Sequence, residues 1–129
     1  FKKISNSYLR KNNIFYFKKT NNINYYLNVC DLFVTCSNRE GFCQSIIEAN
    51  ALGLPAIAYK LYNLNETIID TKTGYLVEND YSFKKKILFL YNNKIQYKKF
   101  SNNCIRRNRF KYDTKNFINK FNFFLFNND

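Results

Sequence analysis

The chain contains no histidine and no tryptophan, a single proline, three glycines and only nine acidic residues. Without histidine it lacks the commonest general base and the commonest protein ligand for transition metals. Its four cysteines, Cys30, Cys36, Cys43 and Cys104, form no Cys-x-x-Cys pair, which argues against zinc. They fall among apolar residues and read as buried free thiols of a reducing compartment. No apolar run approaches the length of a membrane span. The polar, basic first dozen residues hold no apolar core of a secretory signal. Asn65-Glu66-Thr67 matches an N-glycosylation acceptor, but without such a signal it reads as a chance match. The first residue is Phe, so the chain reads as a cytoplasmic, soluble segment of something longer.

What is present is a core. A chain of 129 residues that is 46% hydrophobic has enough apolar surface for one domain and too little length for two comfortable ones. Its formal charge of +12 points to nucleic acid, an anionic membrane or a phosphate-bearing ligand. Lys and Asn are abundant throughout, alongside Ile, Phe and Tyr. Much of the charge is therefore read as compositional background.

Residues 13–17 form a short apolar run suited to a buried strand. Residues 18–22 are a polar link. Ile23, Tyr26, Leu27 and Cys30 repeat at the spacing of one helix face. Residues 32–35 read as a strand, 37–42 as a loop, and 43–52 as a helix closed by Gly53 and Pro55. Residues 56–59 are the next strand, 60–65 a loop, 66–70 a helical turn, and 75–77 a strand after a turn at Thr73-Gly74. Beyond Asp80, an N-cap candidate, the chain reads as three helices. Their apolar faces are marked by Phe83, Ile87 and Leu88; by Tyr97, Phe100, Cys104 and Ile105; and by Phe117, Phe121, Phe124 and Leu125. Apolar strands alternating with helices predict an α/β fold, a Rossmann-like parallel sheet covered on both faces and ending in a helical tail. Such sheets bind ligands beyond the carboxyl ends of their strands.

The loop over residues 36–42 leaves such an end and opens a helix. Two carboxylates flank that helix start, Glu40 and Glu48, with seven residues between them. Early helical N–H groups lack internal partners and carry partial positive charge, so phosphate is their natural ligand. Gly41 allows close backbone approach and dihedrals that other residues avoid. Phe42, Cys43 and Gln44 offer further backbone N–H donors. A carboxylate at Glu48 can accept two hydrogen bonds from a vicinal diol such as that of ribose. Glu40, before the helix, can accept from a second sugar. A plainer reading makes both glutamates solvated or dipole-favouring surface groups.

The run from Cys30-Asp31-Leu32-Phe33-Val34 through Ser37-Asn38-Arg39-Glu40-Gly41-Phe42 resembles the retaining glycosyltransferases of family 4, often called group 1. Glu48-Ala49, Gly53-Leu54-Pro55-Ala56-Ile57-Ala58, Glu66 before Ile68-Ile69-Asp70, and Thr73-Gly74-Tyr75-Leu76-Val77 follow in the family's order. The resemblance implies the C-terminal, donor-binding domain of a GT-B fold, here partial over residues 1–129, with the N-terminal acceptor domain outside the chain. It places Glu40 against the donor sugar as the catalytic-site glutamate and Glu48 on the nucleotide ribose. The amides of Gly41, Phe42, Cys43 and Gln44 would meet donor sugar and diphosphate. It implies no metal and no cofactor beyond a nucleotide-diphosphate sugar as co-substrate. The expected partners are that donor, a glycan or lipid-linked glycan acceptor, the N-terminal domain and, peripherally, the anionic inner face of a membrane. The setting would be polysaccharide or glycoconjugate biosynthesis.

The sequence also departs from the family. Cys43 stands where Gly is common, Lys18 where a small residue is usual, and residues 60–65 lack a Gly pair. No stretch of residues 1–22 matches the diphosphate-clamping Arg and Lys. Two alternatives therefore stand beside the leading reading. One is a noncatalytic remnant of such an enzyme. The other is a basic nucleic-acid-binding module using the aromatic and cationic tail over residues 106–126. That tail otherwise reads as an amphipathic helix needing a partner face. Glu78-Asn79-Asp80 reads as a turn and helix cap rather than a metal motif.

Overall fold

The computed structural model describes residues 13–17 and 20–126. Three short strands, β1 (Phe33–Thr35), β2 (Ala56–Tyr59) and β3 (Gly74–Val77), form a parallel sheet in that spatial order. Phe33 pairs with Ala56 and Ala56 with Gly74, so all three carboxyl ends lie at one end of the sheet. The helices are α1 (Ile23–Leu27), α2 (Gln44–Ala51), α3 (Asp80–Asn92), α4 (Lys94–Lys111) and α5 (Thr114–Phe126), with a 3-10 turn at Tyr62–Glu66 between β2 and β3.

Alternation along the strands divides the core into two layers. Ile57, Tyr75 and Val77 meet Phe83 and Leu90 of α3 and Phe100 of α4. On the opposite face Ala56 and Ala58 meet Ile46 of α2 with Leu64 and Ile68. The two alanines leave room for α2 to lie close against the sheet. Helices therefore cover both faces, the Rossmann-like arrangement that the sequence pattern predicts. Phe100 is fully buried, and burying such a side chain contributes about 1.5–3 kcal/mol. Gly74 has a steric reason: a Cβ there would sit 1.9 Å from the Ala56 carbonyl oxygen.

Helix α4 acts as a strut behind the carboxyl-end loops. Asn108 Nδ2 donates to the Ile47 carbonyl of α2 at 2.8 Å. Arg107 donates to the Thr67 carbonyl at 3.0 Å and to that of Glu66. The Tyr112 hydroxyl donates to the same Glu66 carbonyl at 2.9 Å. The buried Cys104 thiol donates to the Thr73 carbonyl at 3.3 Å, and burial pushes its pKa up to about 12.

Several expectations are corrected. Residues 14–17 form no strand, and Phe15 is 80% exposed. A strand needs a hydrogen-bonding neighbour, and none is beside them among the described residues; Phe17 instead packs its ring 4.5 Å from that of Tyr26. Lys18 lies outside the described residues. Helix α1 ends at Leu27, its only buried residue, so the predicted stripe through Cys30 is not a packed face. Val34 of β1 is 48% exposed, and among the described residues β1 lies at an edge of the sheet. The turn expected at 66–70 comes earlier, at Tyr62–Glu66. Asn79, not Asp80, caps α3, exchanging hydrogen bonds with Ser82 in a capping box. Cys30 and Cys36 are exposed and only Cys104 is buried, although none of the four is in a disulfide. Leu88 lies half exposed on the outer side of α3. On α5, Phe121 is 51% exposed, while the side chains of Phe117, Phe124 and Leu125 lie outside what is described.

Candidate functional site

The loop after β1 and the start of α2 build the site. β1 ends at Thr35, the chain runs as a loop through Phe42, and α2 begins at Gln44 with Cys43 as its N-cap. Cys43 adopts φ 49° and ψ 66°, the left-handed region, and no side chain caps the helix. That conformation turns the chain sharply from loop into helix. A Cβ in this region costs roughly 1–2 kcal/mol, so a glycine would adopt this turn more easily. Gly41, by contrast, is not among the positive-φ glycines, and a Cβ built on it would meet nothing within 4 Å. Its freedom is open space toward a ligand rather than a special dihedral, which corrects half of the expectation for it.

With no cap bond from the Cys43 side chain, the first-turn N–H groups of Gln44 and Ser45 have no side-chain acceptor among the described residues. Ile46 N–H already closes on the Cys43 carbonyl at 3.0 Å. No acidic residue lies in the first turn. Glu48 stands in the second turn, so its carboxylate leaves the positive end of the helix to an incoming anion. Glu40 and Glu48 are both half-buried, and among the described residues neither carboxylate has an ion pair or a hydrogen-bonded side-chain partner. Two half-buried carboxylates, one before α2 in the chain and one in its second turn, are of the kind that could accept from ligand hydroxyls, with the helix start available to an anion.

Other elements hold the loop in place. Asn63 Nδ2, from the 3-10 turn, donates to the Glu40 carbonyl. The Phe42 ring meets Tyr112 edge-on at 6.0 Å. Arg107 and Tyr112 in turn hold the Glu66 end of that 3-10 turn. None of these contacts was legible in the motif, because each joins residues distant in sequence; only the polar run Asn63 to Glu66 hinted at a turn. A cavity of about 460 Å³ opens here, lined by Gly41, Phe42, Tyr62, Asn63, Asn65 and Glu66. In the glycosylation-like triplet Thr67 is fully buried and its hydroxyl donates to the Leu64 carbonyl at 3.1 Å, a role inside the fold. Among the described residues no group of three or more Cys, Asp or Glu is placed to hold a metal ion, and no helix is long and apolar enough to cross a membrane.

A three-stranded parallel sheet covered by helices on both faces, with a loop opening a helix at its carboxyl end, defines the class: a Rossmann-like α/β domain. The chain's relatives make this specific. Residues 1–107 match the family described as Glycosyl transferases group 1, and the chain belongs to that family. It is 34% identical over 100 residues to an uncharacterized glycosyltransferase, MJ1178, of Methanocaldococcus jannaschii, covering 72% of this chain and 28% of that protein. Its fold matches S. aureus TarM, solved with Fondaparinux, alpha-GlcNAc-glycerol and UDP, at TM-score 0.74 and 29% identity, over 89% of this chain and 25% of that one. It also matches the C-terminal domain of the group 1 glycosyl transferase LpcC from Francisella tularensis, at TM-score 0.69 and 25% identity, over 84% of this chain and 60% of that domain. The fold is thus the Rossmann-like half of a GT-B glycosyltransferase, and the chain spans under a third of the MJ1178 and TarM chains.

Proposed function

We propose that this chain is the donor-binding part of a retaining, metal-independent glycosyltransferase that moves a sugar from a nucleotide diphosphate to a glycan or lipid-linked glycan. The observation that carries this is the start of α2, without a side-chain cap, with two half-buried carboxylates before and within it that have no ion pair or side-chain hydrogen bond among the described residues. In this reading the N–H groups of Gly41, Phe42, Cys43 and Gln44 face the donor sugar and diphosphate, with that of Ser45 beside them. Glu48 accepts from the ribose diol, and Glu40 orients the donor sugar. Catalysis is electrostatic: the helix end and cationic groups stabilise the departing diphosphate as the glycosidic bond breaks. The diphosphate-clamping cations and the acceptor domain come from outside these residues. Peripheral contact with an anionic membrane and a role in polysaccharide or glycoconjugate biosynthesis extend the same reading, supported by the +12 charge and the kinship with TarM.

The nucleic-acid alternative loses ground because Arg107, one of its three tail arginines, spends its guanidinium on the Thr67 and Glu66 carbonyls. Calorimetric titration with UDP-, GDP- and ADP-sugars tests the proposal. One of them is expected to bind, and Glu48→Ala to weaken it by about tenfold or more, the loss of one to two charge-assisted hydrogen bonds. Binding by none, or binding indifferent to Glu48→Ala, overturns it.

A further inference from the structure

The loop before α2 is held from a distant element at a single backbone atom. Asn63 Nδ2 donates to the Glu40 carbonyl oxygen, and among the described residues no other side-chain hydrogen bond reaches residues 38–42. Asn63 itself stands on a fixed platform. The next residue, Leu64, is 1% exposed, and Arg107 and the Tyr112 hydroxyl hold the Glu66 carbonyl at the end of the same 3-10 turn. On the other side of Gly41, the Phe42 ring meets Tyr112 edge-on. The Glu40–Gly41 peptide thus lies between two anchors that both lead back to the last turn of α4.

That peptide would otherwise be free to turn. Gly41 tolerates φ of either sign, and a Cβ built on it would meet nothing within 4 Å. Sterics therefore do not choose the orientation of the peptide plane, and Asn63 does. In a trans peptide the C=O and the following N–H point in opposite directions. A Glu40 carbonyl held toward the 3-10 turn aims the Gly41 N–H away from it. Gly41 is exposed, and among the described residues its N–H has no acceptor. Residues 60–65 lack the family's Gly pair, so the turn carries a side chain here that can make this hold. The bond is exposed to water, so it contributes little to stability; what it supplies is direction.

We propose that Asn63 is a positioning residue for donor binding: its amide fixes the Glu40–Gly41 peptide so that the Gly41 N–H stays turned to the donor sugar and diphosphate. The service to the donor rests on the reading of the α2 start given above. The hold on the peptide stands independently of it.

The test compares the 129-residue chain with Asn63→Leu, which keeps the size and removes the donor, and Asn63→Ala, which removes both. Without ligand, the residual dipolar coupling of the Gly41 N–H reads the peptide's orientation, and the carbonyl carbon shift of Glu40 reads its hydrogen bond. Both signals should change in both variants, while the Ile46 coupling and the urea midpoint stay in place. UDP-, GDP- and ADP-sugars are then titrated. The one that binds the parent should bind either variant about tenfold more weakly, the loss of one well-aimed hydrogen bond to a charged group, and should still move the Glu48 signal. The proposal is overturned if the Gly41 coupling of both variants matches the parent, or if it changes while nucleotide-sugar affinity is kept. A clear fall in the urea midpoint of both variants also overturns it, because Asn63 would then support the fold rather than aim the peptide. If no nucleotide sugar binds the parent, yet both variants swing the Gly41 N–H, the donor reading fails and the hold on the peptide is upheld.

Discussion

The Tyr59 hydroxyl donates a hydrogen bond to Asp80 Oδ1, tying the last residue of β2 to the first residue of α3. The carboxylate holds the phenolic proton, and burial adds to its effect, so the Tyr59 pKa rises from 10.0 to about 12. A raised pKa in the folded state stabilises the fold fully below the unfolded value. That contribution is lost as pH climbs from about 10 to about 12. Ring-carbon NMR should therefore find Tyr59 among the last tyrosines to ionise, and Asp80→Asn should bring it back toward an ordinary phenol. An unchanged Tyr59 titration in that variant would exclude Asp80 as the cause.

Gly74 and Gly41 should part company on substitution by alanine. At Gly74 the new methyl would collide with the Ala56 carbonyl oxygen across the β2–β3 pair. A loss of about 3 kcal/mol is expected, as for other overpacked cores. At Gly41 the methyl would enter open space, and stability should stay within about 0.5 kcal/mol. Urea midpoints measure both. If Gly41→Ala keeps its stability yet loses nucleotide-sugar affinity, that glycine serves the ligand.

The left-handed backbone at Cys43 predicts an asymmetric response to mutation. Cys43→Gly relieves roughly 1–2 kcal/mol of strain. It gives part of this back by removing a thiol packed against the Ile46 cluster, so stability should hold or rise by up to about 1 kcal/mol. Cys43→Val places a β-branched residue where it is a backbone outlier, and should lose about 1–2 kcal/mol. Equal stability for Gly and Val would mean that Cys43 is not left-handed in solution.

The three neighbouring arginines should also separate. Arg107 satisfies carbonyls of Glu66 and of the fully buried Thr67. Arg107→Ala should therefore cost about 1–2 kcal/mol through its own lost hydrogen bonds, and no more, because Asn50 Nδ2 still donates to the Thr67 carbonyl and the Tyr112 hydroxyl to that of Glu66. Arg106 and Arg109 are exposed, and alanine there should change stability by less than about 0.5 kcal/mol. Thermal denaturation of the three variants measures the contrast.

The order of elements from residue 32 onward was legible because its signals are local. Gly53, at φ 81° with Pro55 beyond it, ends α2 where the pattern predicts. The apolar runs became β2 and β3 because α2, α3 and α4 cover both of their faces. The same kind of run at residues 14–17 failed as a strand, since hydrophobicity gives no information about whether a neighbouring strand exists. Within the proposed site, one detail of the motif reading changed. The special dihedral expected at Gly41 is carried by Cys43.

The sequence alone determined the family, the alternation of strands and helices, and the two carboxylates bracketing a helix start, because these depend on residue types at short fixed spacings. The tertiary structure alone decided that those carboxylates have no side-chain partner among the described residues, and that Asn63 and Arg107 brace the loop from distant elements. Those facts depend on contacts between residues about 20 to 40 positions apart. Packing of the folded chain chooses such contacts, and local spacing does not encode them.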